Sequence, residues 1–100
     1  MDERALVEAT LRGDVEAFGV LVERYQHLLV ASARHMTRHA EDAEDLAQET
    51  LVDAYRKLGT LKDPEKFRAW LFGILRHKCV NHLQRRPPEG FSLDEERDTL

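Results

Sequence analysis

The sequence predicts an all-α domain, a compact bundle of about four helices, and three observations point to it. Apolar residues recur three and four apart along most of the chain, the period of a helix with one buried face. No stretch alternates polar and apolar residues as a half-buried strand would. Residues that start or stop helices, Gly13-Asp14, Gly59, Asp63-Pro64 and Pro87-Pro88, fall between the periodic segments.

The first helix is expected from Asp2 to Arg12, with Gly13 supplying a left-handed stop. Asp14 is placed to cap the second helix, and Glu16 favours its positive N-terminal end. Phe18, Val22, Tyr25, Leu29, Ala33 and Met36 then form one stripe, so this helix reaches about residue 37. A third helix begins near Ala40 and ends at Gly59. Its inner face is Ala47, Leu51, Ala54, Tyr55 and Leu58; its outer face is Asp45, Gln48, Glu49, Val52 and Arg56. Asp63-Pro64 opens the fourth, an acid cap followed by a proline whose missing N–H costs nothing at that position. Phe67, Leu71, Ile74 and Leu75 form its inner face, with Cys79 and Leu83 extending the apolar arc, until Pro87-Pro88 stops it after Arg86. Beyond lie a Pro-Pro-Glu-Gly linker and a capping box at Ser92 to Glu95 that could open one more turn.

The 100 residues amount to one domain, large enough for its own core. Apolar stretches are short and interrupted by charge, so none is expected to enter a membrane. A single cysteine, Cys79, excludes an intramolecular disulfide and fits a reducing cytoplasm. The net charge of −4 conceals strong segregation. Residues 40–53 hold six acids and no Lys or Arg; residues 54–86 hold nine Lys/Arg against two acids, an excess of +7; residues 87–100 hold five acids and one Arg. A polyanion responds to that local field rather than to the net charge.

Motifs for catalysis are missing: no Gly-rich phosphate loop, no His-Glu-x-x-His pair, no Cys-x-x-Cys. His77, Cys79 and His82 are close in sequence, but residues two apart do not share a helix face and nothing completes a tetrahedral set. Neither an enzyme nor a metal or other cofactor is expected. Two binding surfaces are. Asp45, Gln48, Glu49 and Val52 combine acids, an amide and one aliphatic, a stripe suited to docking on a basic partner helix. The fourth helix offers Arg68, Arg76, Lys78, Arg85 and Arg86 to phosphates, with Trp70, His77, Asn81 and Gln84 on one strip between them. A stacking aromatic beside polar base readers and cations suits single-stranded nucleic acid, although an aromatic at helical spacing serves equally well as core.

In order and spacing, these stretches resemble a known family. Glu44-Asp45-Leu46-Ala47-Gln48-Glu49-Thr50-Leu51, followed by Ala54-Tyr55, is similar to the region 2.2 helix of bacterial sigma factors. Trp70-Leu71-Phe72-Gly73-Ile74-Leu75-Arg76-His77, followed by His82-Leu83-Gln84-Arg85-Arg86, is similar to the region 2.4 helix. Gly13-Asp14, Ala17-Phe18 and Arg24-Tyr25 resemble the opening signature of the extracytoplasmic-function (ECF) group. The resemblance covers residues 4–86.

The resemblance implies a transcription initiation domain that binds RNA polymerase core and recognises and melts the promoter −10 element. It assigns Asp45, Gln48, Glu49 and Val52 to the clamp helices of the largest polymerase subunit. It assigns the loop from Leu58 to Phe67 to a base flipped from the non-template strand, with Leu61 in the loop and His77 facing it. Lys62, Lys66, Arg68 and Arg76 would follow the backbone, and Trp70, Asn81, Gln84 and Arg85 complete the DNA surface. An anti-sigma factor is the implied regulator. The family usually has Asn where this chain has His77, often Asp rather than Asn81, and Arg rather than Gln84; an imidazole can still donate and accept, with different reach and with pH dependence. Residues 1–86 are expected to form the region 2 domain and residues 87–100 the start of an acidic linker, with no second domain for the −35 element. Two other readings are a helical adaptor that binds protein without DNA, and a compact helix-turn-helix duplex binder. The long, largely apolar fourth helix argues against the second.

Overall fold

Two aspartates start the first two helices by the same device. The Asp2 carboxylate accepts the Ala5 N–H at 2.8 Å, and the Asp14 carboxylate accepts that of Ala17 at 3.2 Å. Each satisfies an amide that the first helical turn leaves without a partner. The computed structural model describes residues 2–85. Within them α1 spans Glu3–Leu11, α2 Val15–Thr37, α3 Ala40–Lys57 and α4 Phe67–Arg85. Short 3₁₀ turns at Leu58–Thr60 and Pro64–Lys66 bracket the loop between α3 and α4. There is no strand among the described residues. The expected stop at Pro87-Pro88 and the turn at Ser92 to Glu95 lie outside them.

Gly13 has a φ of 105°, so the stop expected there is real and favours glycine. Arg38 ends α2 at a φ of 66°, a left-handed cap that no glycine announces. Gly59 does not end α3 as expected. The α-helix stops at Lys57 and tightens into a 3₁₀ turn containing Gly59, with the Leu61 N–H closing it on the Leu58 carbonyl at 3.0 Å. The Asp63-Pro64 start behaves as expected: the Asp63 carboxylate accepts the Glu65 N–H at 3.0 Å.

The central element is α2, which packs on α1, α3 and α4. Leu21, Tyr25, Leu29 and Ala33 supply its contribution to a core completed by Val7, Ala43, Ala54, Phe67, Leu71, Leu75 and Cys79. Phe67 is fully buried, with its ring 5.9 Å from that of Tyr25 and 6.0 Å from that of Trp70. Burying such a side chain stabilises the fold by roughly 2–3 kcal/mol. Tyr25 keeps its hydroxyl satisfied by donating it to Glu3 of α1. Burial, then that bond, pushes the phenol above its ordinary pKa.

Thr10, Thr37 and Thr50 are also buried. Each hydroxyl donates to the carbonyl one turn back, on Leu6, Ala33 and Leu46, at 2.8–2.9 Å. That local bond removes the cost of burying a hydroxyl.

Two expected inner residues face out. Tyr55 is 45% exposed, its ring lying 5.0 Å from that of Phe18, and Leu83 is 43% exposed. Tyr55 lines a surface groove between α2 and α3 rather than the core.

Candidate functional site

An ion pair and a histidine–carboxylate hydrogen bond hold α4 along α3. The Lys78 Nζ lies 2.8 Å from the Asp53 Oδ2, and the His82 Nε2 lies 3.2 Å from the Asp42 Oδ2. Lys78 is also 3.9 Å from the Glu49 Oε1, and Lys57 is 3.8 Å from Asp53. Hydrogen bonding to Lys78 holds the Asp53 carboxyl below its ordinary pKa. These contacts fix the spacing of two outward surfaces.

The first surface is the outer face of α3. Asp45, Gln48, Glu49 and Val52 are all exposed and line one depression with Asp53, Arg56 and Lys78. The four residues singled out in the sequence are therefore brought together. Behind them runs an apolar groove between α2 and α3, about 590 Å³, lined by residues including Val15, Phe18, Val22, Leu51 and Tyr55. Gln48 and Val52 belong to both the groove and the depression. The outward placement of Tyr55 opens this groove, which the sequence reading missed by assigning Tyr55 to the core.

The second surface lies on α4 and the loop before it. Leu61, Lys62, Lys66 and Trp70 line a depression with Thr60, Asp63 and Ala69. Trp70 also borders a neighbouring depression lined by His77, Asp53, Lys57, Gly73, Ile74 and Lys78. The indole is partly buried against Phe67 yet open on both sides, so it serves as core and as wall at once. Contrary to expectation, His77 does not line the loop depression; it lies about two helical turns beyond Trp70 on α4. Asn81 supports it, with Nδ2 3.2 Å from the His77 Nε2. Gln84 and Arg85 continue the strip as exposed residues at the end of α4.

The cations divide into two groups. Lys62, Lys66, Arg76 and Arg85 are exposed and make no ion pair among the described residues. Arg68 is engaged elsewhere: its guanidinium lies 6.0 Å from the Tyr25 ring centroid and 5.8 Å from that of Phe72. Two residues before Trp70, it projects about 200° around the helix from it, away from the strip. Arg76 stands one turn beyond Phe72 on the same side. The sequence strip of Trp70, His77 and Asn81 is thus assembled, whereas Arg68 and Arg76 flank it from the far side of α4.

Metal-binding geometry does not develop around Cys79. The thiol is buried and raised above its ordinary pKa by that burial, His77 is bonded to Asn81 and His82 to Asp42. No group of three or more potential ligands converges among the described residues. No helix among them is long and apolar enough to cross a membrane.

The described residues thus form an all-helical domain with an acidic, partly apolar face on α3 beside a cation-rimmed aromatic cleft on α4. The Sigma-70 region 2 family matches residues 21–87, and the chain belongs to that family. It is 39% identical over 91 residues to the RNA polymerase sigma-H factor of Pseudomonas aeruginosa, covering 88% of this chain and 47% of the relative. It is 37% identical over 93 residues to the ECF RNA polymerase sigma-E factor of Escherichia coli K12, covering 90% and 48%. The chain therefore spans about half the length of these relatives. Among solved structures it is similar to an engineered region 2 of sigmaE, determined by NMR in complex with GTAAAA. The TM-score is 0.77 at 31% identity, over 100% of this chain and 96% of the other.

Proposed function

We propose that residues 1–86 form a sigma region 2 unit that docks on RNA polymerase core through α3. The unit recognises and melts the promoter −10 element by capturing non-template-strand bases on α4 and the loop before it. The observation behind this reading is the adjacency of two unlike surfaces across one ion-paired seam. Asp45, Gln48, Glu49 and Val52 offer acids and an aliphatic to a basic helix, and the groove behind Val52 offers apolar area to the same partner. The clamp-helix coiled coil of the largest subunit is the partner of that chemistry. A sigmaE region 2 that is 31% identical forms a complex with GTAAAA, which supports assigning the other surface to the −10 element.

Melting needs no nucleotide hydrolysis in this account. Unstacking a base costs a few kcal/mol, and each base restacked on an aromatic regains about 1–3 kcal/mol. Trp70 and the Leu61 depression supply the pocket; Lys62 and Lys66 supply charge at its rim. His77 presents an imidazole where the family usually has an amide, so the base preferred at that position differs from the usual one. The unit works in the cytoplasm, where its polymerase is, and an anti-sigma factor covering either surface would silence it.

Capture on polymerase core with forked promoter DNA tests both halves. The wild-type chain should be retained on core and select among −10 sequences. Retention with no DNA crosslink from Lys62 or His77 would favour a protein adaptor without DNA contact.

A further inference from the structure

Asp53 and Lys78 occupy a place that neither surface accounts for. Both line the docking depression on α3, and both line the Trp70–His77 depression on α4. They form the wall between the two. The Lys78 side chain is only 21% exposed and that of Asp53 23% exposed, whereas Glu49 is 61% exposed. One ammonium thus meets two carboxylates, at 2.8 Å and 3.9 Å, on the edge of a cleft that would receive a polyanion.

That arrangement distinguishes Lys78 from Lys62, Lys66, Arg76 and Arg85, which make no ion pair among the described residues. A lysine already held by two acids has little left to give a phosphate. The two acids, left bare, would repel a strand lying against Trp70 and His77. At a partly exposed surface, unit charges a few ångströms apart still interact appreciably.

We propose that Lys78 is a positioning residue for the nucleic-acid surface: its ammonium neutralises Asp53 and Glu49 at the seam, so a single strand can lie in the Trp70–His77 cleft beside an acidic docking helix, and it makes no phosphate contact of its own. This rests on the function proposed above. It explains how a strongly acidic helix and a strand-binding helix can be immediate neighbours. Lys57, 3.8 Å from Asp53, supports the same shield from α3.

The test is a charge-rescue cycle. The full chain, saturated with polymerase core, is titrated with a fluorescent single-stranded −10 oligonucleotide over a range of salt concentrations. Lys78→Gln should weaken strand binding about five- to tenfold, the effect of uncovering a nearby like charge. Adding Asp53→Asn to Lys78→Gln should restore affinity to within about twofold and leave the wild-type salt dependence, because no phosphate contact was lost. Lys62→Gln serves as the opposite case: its loss should lower the salt slope by about 0.7 and should not respond to Asp53→Asn.

A double variant as weak as Lys78→Gln, with a reduced salt slope, would overturn the proposal and make Lys78 a phosphate contact. Wild-type affinity in Lys78→Gln would also overturn it. Thermal unfolding of each variant separates loss of the α3–α4 pair from loss of shielding: strand affinities are compared at a temperature where every variant is fully folded, so a change in affinity there reports shielding. Failure of the wild-type chain to bind core, or to bind the strand once docked, would instead refute the underlying function.

Discussion

The outer faces of α3 and α4 run side by side and treat charge in opposite ways. On α3, Glu44 and Asp45 stand exposed without an ion pair among the described residues, and Val52 stands exposed beside them. On α4 the charges are divided: Lys78 is consumed at the seam and Arg68 lies over two rings. Arg76 and Arg85 are left to solvent, as are Lys62 and Lys66 before the helix. A face that meets a protein can leave its charges free to steer and to pair on contact. A face that meets a polyanion must keep acids out of reach and hold an aromatic in a fixed place. The difference lies in which groups are left unsatisfied, and net charge alone does not reveal it.

The comparison can be broken most severely at the residue both faces depend on. Phe67 is fully buried beneath Trp70 and against Tyr25. Phe67→Ala should cost about 3–5 kcal/mol in chemical denaturation and impair docking and strand binding together. Selective loss of one function would show that the two surfaces do not share this support.

The faces should separate under surface substitutions. Gln48→Ala with Glu49→Lys should reduce capture by polymerase core by about 2–4 kcal/mol, measured by competition, while the helical circular dichroism is unchanged. Trp70→Ala should leave core capture intact and weaken strand binding by about 1–3 kcal/mol per stacked base, read by anisotropy in the docked complex. Part of the Trp70 loss will appear as reduced stability, because the indole also covers Phe67; Trp70→Phe should recover stability before it recovers strand affinity.

The smallest effect concerns the seam. Asp53 is held below the ordinary carboxyl pKa of 3.8 by Lys78, so the folded state binds its proton less readily than the unfolded state. Its contribution is therefore complete above that ordinary value and is lost as pH falls through the lower, folded one. Asp53→Asn should cost about 1 kcal/mol near neutral pH, and the gap from wild type should close in strongly acidic solution. A gap that persisted at acid pH would mean that Asp53 acts through shape rather than charge.

Three of the four helix starts carry a chemical marker in the sequence, whereas α3 begins after His39 with no side-chain cap. Asp14 and Asp63 cap as expected, and Asp2, expected as the first helical residue, caps α1 instead. The ends were harder. Arg38 adopts a left-handed conformation without being glycine, and Gly59 sits in a 3₁₀ turn where a plain stop was expected. The stripe on α2 missed Leu21, since a helix covered by three others buries a wider arc than one periodic row. The buried threonines were missed for another reason: their polarity is cancelled by a bond to their own helix, which residue type does not disclose.

For the site, spacing on one helix was informative and relations between helices were not. Asp45, Gln48, Glu49 and Val52 share a depression, and Trp70 and His77 share another. Asp53 was overlooked because its role exists only once Lys78 of α4 reaches it. Helical spacing already turns Arg68 away from Trp70, but its seat over the ring of Tyr25, 43 positions earlier, is a contact between helices that spacing does not disclose.

The most direct measurement is capture on RNA polymerase core with a forked −10 library. It would compare the wild-type chain, Gln48→Ala with Glu49→Lys, and Trp70→Ala with His77→Ala. The account predicts that the α3 pair abolishes retention on core, while the α4 pair is retained but loses selection among −10 sequences. Equal retention of all three on core, or unchanged sequence selection by the α4 pair, would contradict it.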